Sequence, residues 1–189
     1  LLTIFFGVLW GVGGLTFGLS MRYLGVALGQ SIALGTCAGL GTIMGPVLLN
    51  IFFPELNALS SLTASVIIGV VVTLVGIAII GVAGGMKSAT LSEEEKKEAV
   101  KDFNFPKGLA IALLAGFMSG CFNVGLEFGK DLNFGELTHP MFRTLPATLL
   151  VTIGGFVTNA AYCLYQNASN KTFTDYTDGS LWASNILFC

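Results

Sequence analysis

Residues 62–86 read LTASVIIGVVVTLVGIAIIGVAGGM, a run with no charged side chain. A helix rises about 1.5 Å per residue, so about 20 apolar residues cross the roughly 30 Å of hydrocarbon in a bilayer. This run is long enough, and it does not alternate in polarity as a barrel strand would. Four further stretches behave alike: Leu1 to Ser20, closed by Met21-Arg22-Tyr23; Gly25 to Phe53, long enough to tilt or to kink at Pro46; Gly108 to Gly129; and Thr144 to Tyr165. Leu181 to Cys189 reads as the first turns of a sixth. The pattern predicts an all-α fold: a polytopic integral membrane helix bundle with five complete transmembrane helices plus the start of a sixth.

Composition agrees with that reading. Of 189 residues, 53% are hydrophobic and only 11% are charged, where a soluble domain carries about 25% charged residues. A soluble globular enzyme, a disordered chain and a secreted disulfide scaffold are excluded. The net charge of -2 is too small to call for a nucleic acid partner. The chain opens at Leu1 without a methionine or a basic leader and closes inside an apolar run. It is therefore expected to be an internal piece of a longer protein without a signal peptide.

The longest charged segment follows the third span. Ser92 and Glu95 fit a capping box, and Glu93 can meet Lys97 one turn on. A short surface helix is expected there, carrying Ala99, Val100 and Phe103 and ended by Pro106. If the spans alternate, Arg22, Lys87, Lys96, Lys97, Lys101, Lys107 and Lys171 share one side, against Lys130 and Arg143 on the other. The richer side is expected to be cytoplasmic. The glycosylation-like triplets at Asn167 and Asn170 then fall in the cytoplasm and read as chance.

Glycines recur at helical spacing. Gly7, Gly11, Gly14 and Gly18 share one face of the first span. Pairs four residues apart follow at Gly25 and Gly29, Gly35 and Gly39, Gly41 and Gly45, Gly116 and Gly120, and Gly125 and Gly129. Such small-xxx-small steps let backbones approach closely, so they specify a packed bundle. They also permit the bending and sliding that transporters need.

Polar groups inside a bilayer are costly, so each needs a reason. Gly116, Gly120, Asn123 and Glu127 step along one face of the fourth span, and Glu127 is the sole acid inside any span. Glu127 is a candidate for proton coupling or else pairs with Lys130 at the interface. Asn123 and Asn159 either bind a hydroxylated substrate or bond a neighbouring helix. Trp10, striped with Phe6 and Phe17, either stacks on the apolar face of a sugar or packs against a helix or lipid. Arg22 either anchors the end of the first span or forms a gate pair. His139 reads as a structural loop residue. Cys37, Cys121, Cys163 and Cys189 lack metal-ligand spacing and read as packing residues. No metal site and no cofactor motif is present.

The runs Gly7-Val8-Leu9-Trp10-Gly11-Val12-Gly13 and Gly18-Leu19-Ser20-Met21-Arg22-Tyr23-Leu24-Gly25 resemble the L-rhamnose–proton symporter family of the drug/metabolite transporter superfamily. The runs Gly39-Leu40-Gly41-Thr42-Ile43-Met44-Gly45-Pro46, Phe103-Asn104-Phe105 and Lys107-Gly108-Leu109 are similar too. The resemblance spans nearly the whole chain. It implies ten helices in two inverted halves of five. Residues 1–86 would be the last three helices of the first half, 87–107 the charged cytoplasmic linker, and 108–189 the first two helices of the second half and the start of a third. It further implies inward transport of L-rhamnose, or a related small sugar, with protons across the bacterial inner membrane by alternating access. Read from the residues themselves and not from the resemblance, Trp10, Asn123 and Asn159 are the expected substrate contacts and Glu127 the expected proton-coupling group. The alternatives are another substrate on the same scaffold and a non-transporting membrane scaffold; an enzyme is not expected.

Overall fold

The computed structural model describes residues 1–90, 92, 102–130, 142–174, 179 and 182. It contains α1 (Leu2–Leu24), α2 (Val26–Phe52), α3 (Ala64–Thr90), α4 (Phe105–Gly129) and α5 (Leu145–Asn170). All five are long and apolar enough to cross a membrane. Two 3-10 turns, Pro54–Leu56 and Ala58–Ser61, lead from α2 to α3, and no strand occurs among the described residues. Most of the expected capping-box segment, His139 and nearly all of Leu181–Cys189 lie outside the described residues.

The helix ends differ from the sequence reading, for local reasons. α1 runs one turn further than Ser20, so Arg22 lies within its last turn. Gly25 then reverses the chain alone, at φ 81, a backbone region that glycine enters without a Cβ penalty. Gly29 makes that reversal tight, since a Cβ on it would lie 3.1 Å from the Met21 backbone. Pro106 does not end a preceding helix. It sits in the first turn of α4, where its missing N–H leaves no bond unmade, and Asn104 caps the helix by accepting from the Lys107 N–H at 3.1 Å. α3 and α5 each extend a turn past their apolar runs, to Thr90 and Asn170. Pro46 lies inside a continuous α2.

α4 is the centre of the bundle. It packs antiparallel to α1, parallel to α2 and antiparallel to α5, while α5 lies parallel to α1. Successive helices thus alternate in direction, as membrane crossings must. Glycine sets the closest approaches. A Cβ on Gly13 would lie 2.7 Å from the Ser119 amide nitrogen, and one on Gly116 would lie 2.6 Å from the Ala33 carbonyl. Gly7 faces the Val151 carbonyl and Gly154 the Ile4 carbonyl, with no room for a side chain. These small residues act as the family of close helix contacts requires.

One expectation is corrected. The four-glycine face of α1 is only half used: Gly7 and Gly11 meet α5, whereas Gly14 and Gly18 meet nothing within 4 Å. The core forms two clusters, one of Leu24, Ile32, Ala33, Ala112 and Ala115, the other of Phe6, Cys121 and Val124. α3 lies at the edge against α2 and exposes Ile67, Ile68, Val71, Val72, Val75 and Ile79. Such a surface is stable against lipid, which is as apolar as the side chains themselves.

Candidate functional site

Trp10 and Asn159 both border Gly155, where α1 and α5 touch. The half-buried Trp10 ring tilts onto Phe122 of α4, with centroids 4.9 Å apart and planes at 56°. Its other neighbour is Gly155, where a Cβ would lie 2.6 Å from Cε3 and Cζ3 of the indole. The Asn159 Nδ2 donates to the Gly155 carbonyl at 2.8 Å, which leaves its Oδ1 as an exposed acceptor. Counted at about 1.5 Å per residue, Trp10 and Asn159 both fall within about 5 Å of the midpoints of their helices. A tilted indole–phenylalanine pair next to a residue that an amide also bonds offers an apolar plane and a hydrogen-bonding group near mid-span.

Asn123 and Glu127 are placed differently. The expected stripe on α4 faces α2, where Gly116 meets Thr36 and Gly120 meets the Gly41 Cα at 3.2 Å from its would-be Cβ. Asn123 Nδ2 lies 2.6 Å from where a Cβ on Gly41 would stand, and the Glu127 side chain lies 3.7 Å from the same position on Gly45. Glu127 accepts from Lys130 Nζ at 2.7 Å, and both side chains are over a third exposed. The pairing at the end of the span is the one the spacing of three residues allows. These two residues therefore share a seam with α2 and do not join Trp10 and Asn159.

Arg22 belongs to a clasp at the opposite end of the bundle. Its Nε donates to Asp102 Oδ2 at 2.6 Å. The Tyr23 carbonyl accepts from the Asn104 N–H at 3.1 Å. Lys107 Nζ donates to the Tyr23 hydroxyl at 2.9 Å and lies 4.4 Å from the centre of that ring. Gly108 admits Leu24, whose Cγ would be 2.6 Å from a Cβ there. The clasp thus joins the Met21–Gly25 and Phe103–Leu109 runs. α1 and α4 are packed along their lengths, so the geometry favours an anchor over a gate.

The aromatic stripe of Phe6, Trp10 and Phe17 divides among separate partners. Phe6 stacks on Phe128 at 5.3 Å, Trp10 lies tilted against Phe122, and Phe17 packs against the Leu24 cluster. Phe122 was not singled out from the sequence, being one of 15 phenylalanines with no distinguishing neighbour pattern. An apolar cavity of about 580 Å³ opens between α2, α3 and α4, lined by Leu40, Leu74, Ile77, Phe105 and Leu113 among others, and it holds none of these candidates. Among the described residues no three His, Cys, Asp or Glu side chains gather to hold a metal, and Cys37, Cys121 and Cys163 are free thiols.

Comparison with known proteins places this architecture. Proteins named L-rhamnose-proton symporter from Yersinia pestis bv. Antiqua (strain Antiqua) and Yersinia pseudotuberculosis serotype I (strain IP32953) are each 31% identical over 196 residues. The alignments cover 100% of this chain and 55% of each relative. The chain therefore spans about half the length of the curated relatives it matches. No solved structure matches it. The family match runs over residues 1–189, and with five membrane-length helices in alternating directions the chain is a multi-pass membrane segment that belongs to the L-rhamnose-proton symport protein family.

Proposed function

We propose that the protein is a transporter and not an enzyme. It imports L-rhamnose, or a closely related small sugar, with protons across the bacterial inner membrane by alternating access. Residues 87–107 would be the cytoplasmic linker between the two halves, needing no cofactor. The observation that carries the reading, beyond kinship, is that the Trp10 ring, paired with Phe122, and the Asn159 amide meet the same residue, Gly155, near mid-span. Transporter sites lie near the bilayer midplane. A deoxy sugar offers an apolar ring face to the indole and hydroxyls to the amide. Asn123 lines the neighbouring seam between α4 and α2, where a shift of either helix would move it toward or away from the sugar.

Glu127 is proposed as the proton-linked group. It is the acid within the five spans, and its exchange between Lys130 and a proton would couple charge to helix movement. Glu127→Gln removes that exchange while keeping shape and hydrogen bonding. In proteoliposomes the variant should lose concentrative uptake, which one proton per sugar holds at about tenfold for each pH unit. Sugar–sugar counterflow, which moves no net proton, should persist. Concentrative uptake by the variant at the wild-type level would remove Glu127 from the coupling step.

A further inference from the structure

We infer that Tyr162 and Gln166 of α5 continue the sugar path from Trp10 and Asn159 toward the cytoplasm, lining the gap where α1 and α5 part. This rests on the symporter reading proposed above. Three observations lead to it. First, Gly155, Asn159, Tyr162 and Gln166 follow helical spacing along one side of α5, so the stripe starts directly beneath the Trp10 ring. Second, the glycine contacts of α1 with α5 end at Gly11, which meets Thr158. The next glycines on that face of α1, Gly14 and Gly18, have open space within 4 Å. The register of two parallel helices sets those glycines level with the Tyr162 and Gln166 turns. Third, Tyr162 is 45% exposed and its hydroxyl accepts from Gln166 Nε2 at 2.9 Å.

Depth and direction argue against a simple interfacial belt. Tyr162 falls about 7 Å from the midpoint of α5, well inside the hydrocarbon at 1.5 Å per residue. Side chains on a helix lean toward its N-terminus, here toward the membrane centre, so the Gln166 amide reaches inward and not to the headgroups. The phenol and amide bond each other, yet each keeps hydrogen-bonding capacity that lipid leaves unused, which favours a polar cavity or another part of the protein beside them. With Nε2 engaged, Gln166 keeps Oε1 as an acceptor and Tyr162 keeps its O–H as a donor. Asn159 adds Oδ1. Donor and acceptors one turn apart suit the adjacent hydroxyls of a pyranose moving inward.

The test uses the protein expressed from its complete gene, in membrane vesicles, with Cys163→Ser to remove the adjacent thiol. Tyr162→Cys is exposed to a membrane-impermeant, water-soluble maleimide from the cytoplasmic side, with and without L-rhamnose, and uptake of labelled L-rhamnose is measured on the unsubstituted protein. Labelling that L-rhamnose slows is the expected result. Tyr162→Phe should raise the KM for uptake about 3- to 10-fold, the worth of one hydrogen bond, and leave kcat nearly unchanged. Reaction with a lipid-soluble maleimide alone would overturn the inference, because the stripe would then lie away from water. Labelling unaffected by L-rhamnose, in a protein that takes the sugar up, would overturn it while leaving symport intact. Labelling in a protein that takes up no L-rhamnose would overturn the symporter reading, and the sugar assignment with it.

Discussion

Gly154→Val is expected to separate α5 from α1 and to leave the protein unable to hold its fold in detergent. The new Cβ would meet the Ile4 carbonyl, the Val8 nitrogen at 2.8 Å and the Gly7 carbonyl carbon at 2.9 Å. All three are backbone atoms, so no rotamer change relieves the clash. Overpacking a core costs about 1–3 kcal/mol when side chains can shift, and this contact belongs at or above the top of that range. Parting the helices also opens the facing contact of Gly7 with Val151 and the Thr158 hydroxyl bond to the Val8 carbonyl at 3.1 Å. Gly14→Val is the matched control, on the same helix pair but in open space; its effect should stay within about 0.5 kcal/mol. Thermal unfolding of the purified variants measures both. Equal stability of the two would mean that α1 and α5 do not approach as described.

Trp10→Ala should produce the largest functional loss. If the indole is the plane on which the sugar rests, removing it forfeits the burial of an aromatic face, about 1.4–2.8 kcal/mol, which is a 10- to 100-fold rise in KM. Trp10→Phe keeps a smaller face against Phe122 and should recover most of the affinity. A purely structural role predicts the opposite split. Loss of the contacts with Phe122 and Gly155 would then lower the unfolding temperature, with KM unchanged. Uptake kinetics and thermal unfolding on the same preparations separate the two roles.

The spans were legible because hydrocarbon thickness sets a length that residues 62–86 and their four counterparts satisfy by composition alone. The α4 stripe was legible because helical spacing puts Gly116, Gly120, Asn123 and Glu127 on one side whatever lies opposite. What lay opposite was not. That the stripe meets Gly41 and Gly45 of α2, and that Trp10 and Asn159 share Gly155, depends on helix order in three dimensions. The end of α1 was misread for the same reason. Arg22 and Tyr23 look like a polar stop, yet the helix runs on to Leu24 before Gly25 turns the chain, and the two residues bond Asp102, Asn104 and Lys107, about eighty residues later. Proline carries the same local signal at the last residue of one helix and in the first turn of the next, and at Pro106 Asn104 as the cap decides for the second. Phe122 and Tyr162 carry no sequence signal of their own and gain meaning only from their neighbours in space.

The proposed import of sugar driven by protons is checked by uptake of labelled L-rhamnose. The protein, expressed from its complete gene and reconstituted in proteoliposomes, is assayed with and without an inward proton gradient. Accumulation above equilibrium should appear with the gradient and collapse when a protonophore is added. Folded protein that shows no L-rhamnose flux under either condition would contradict it.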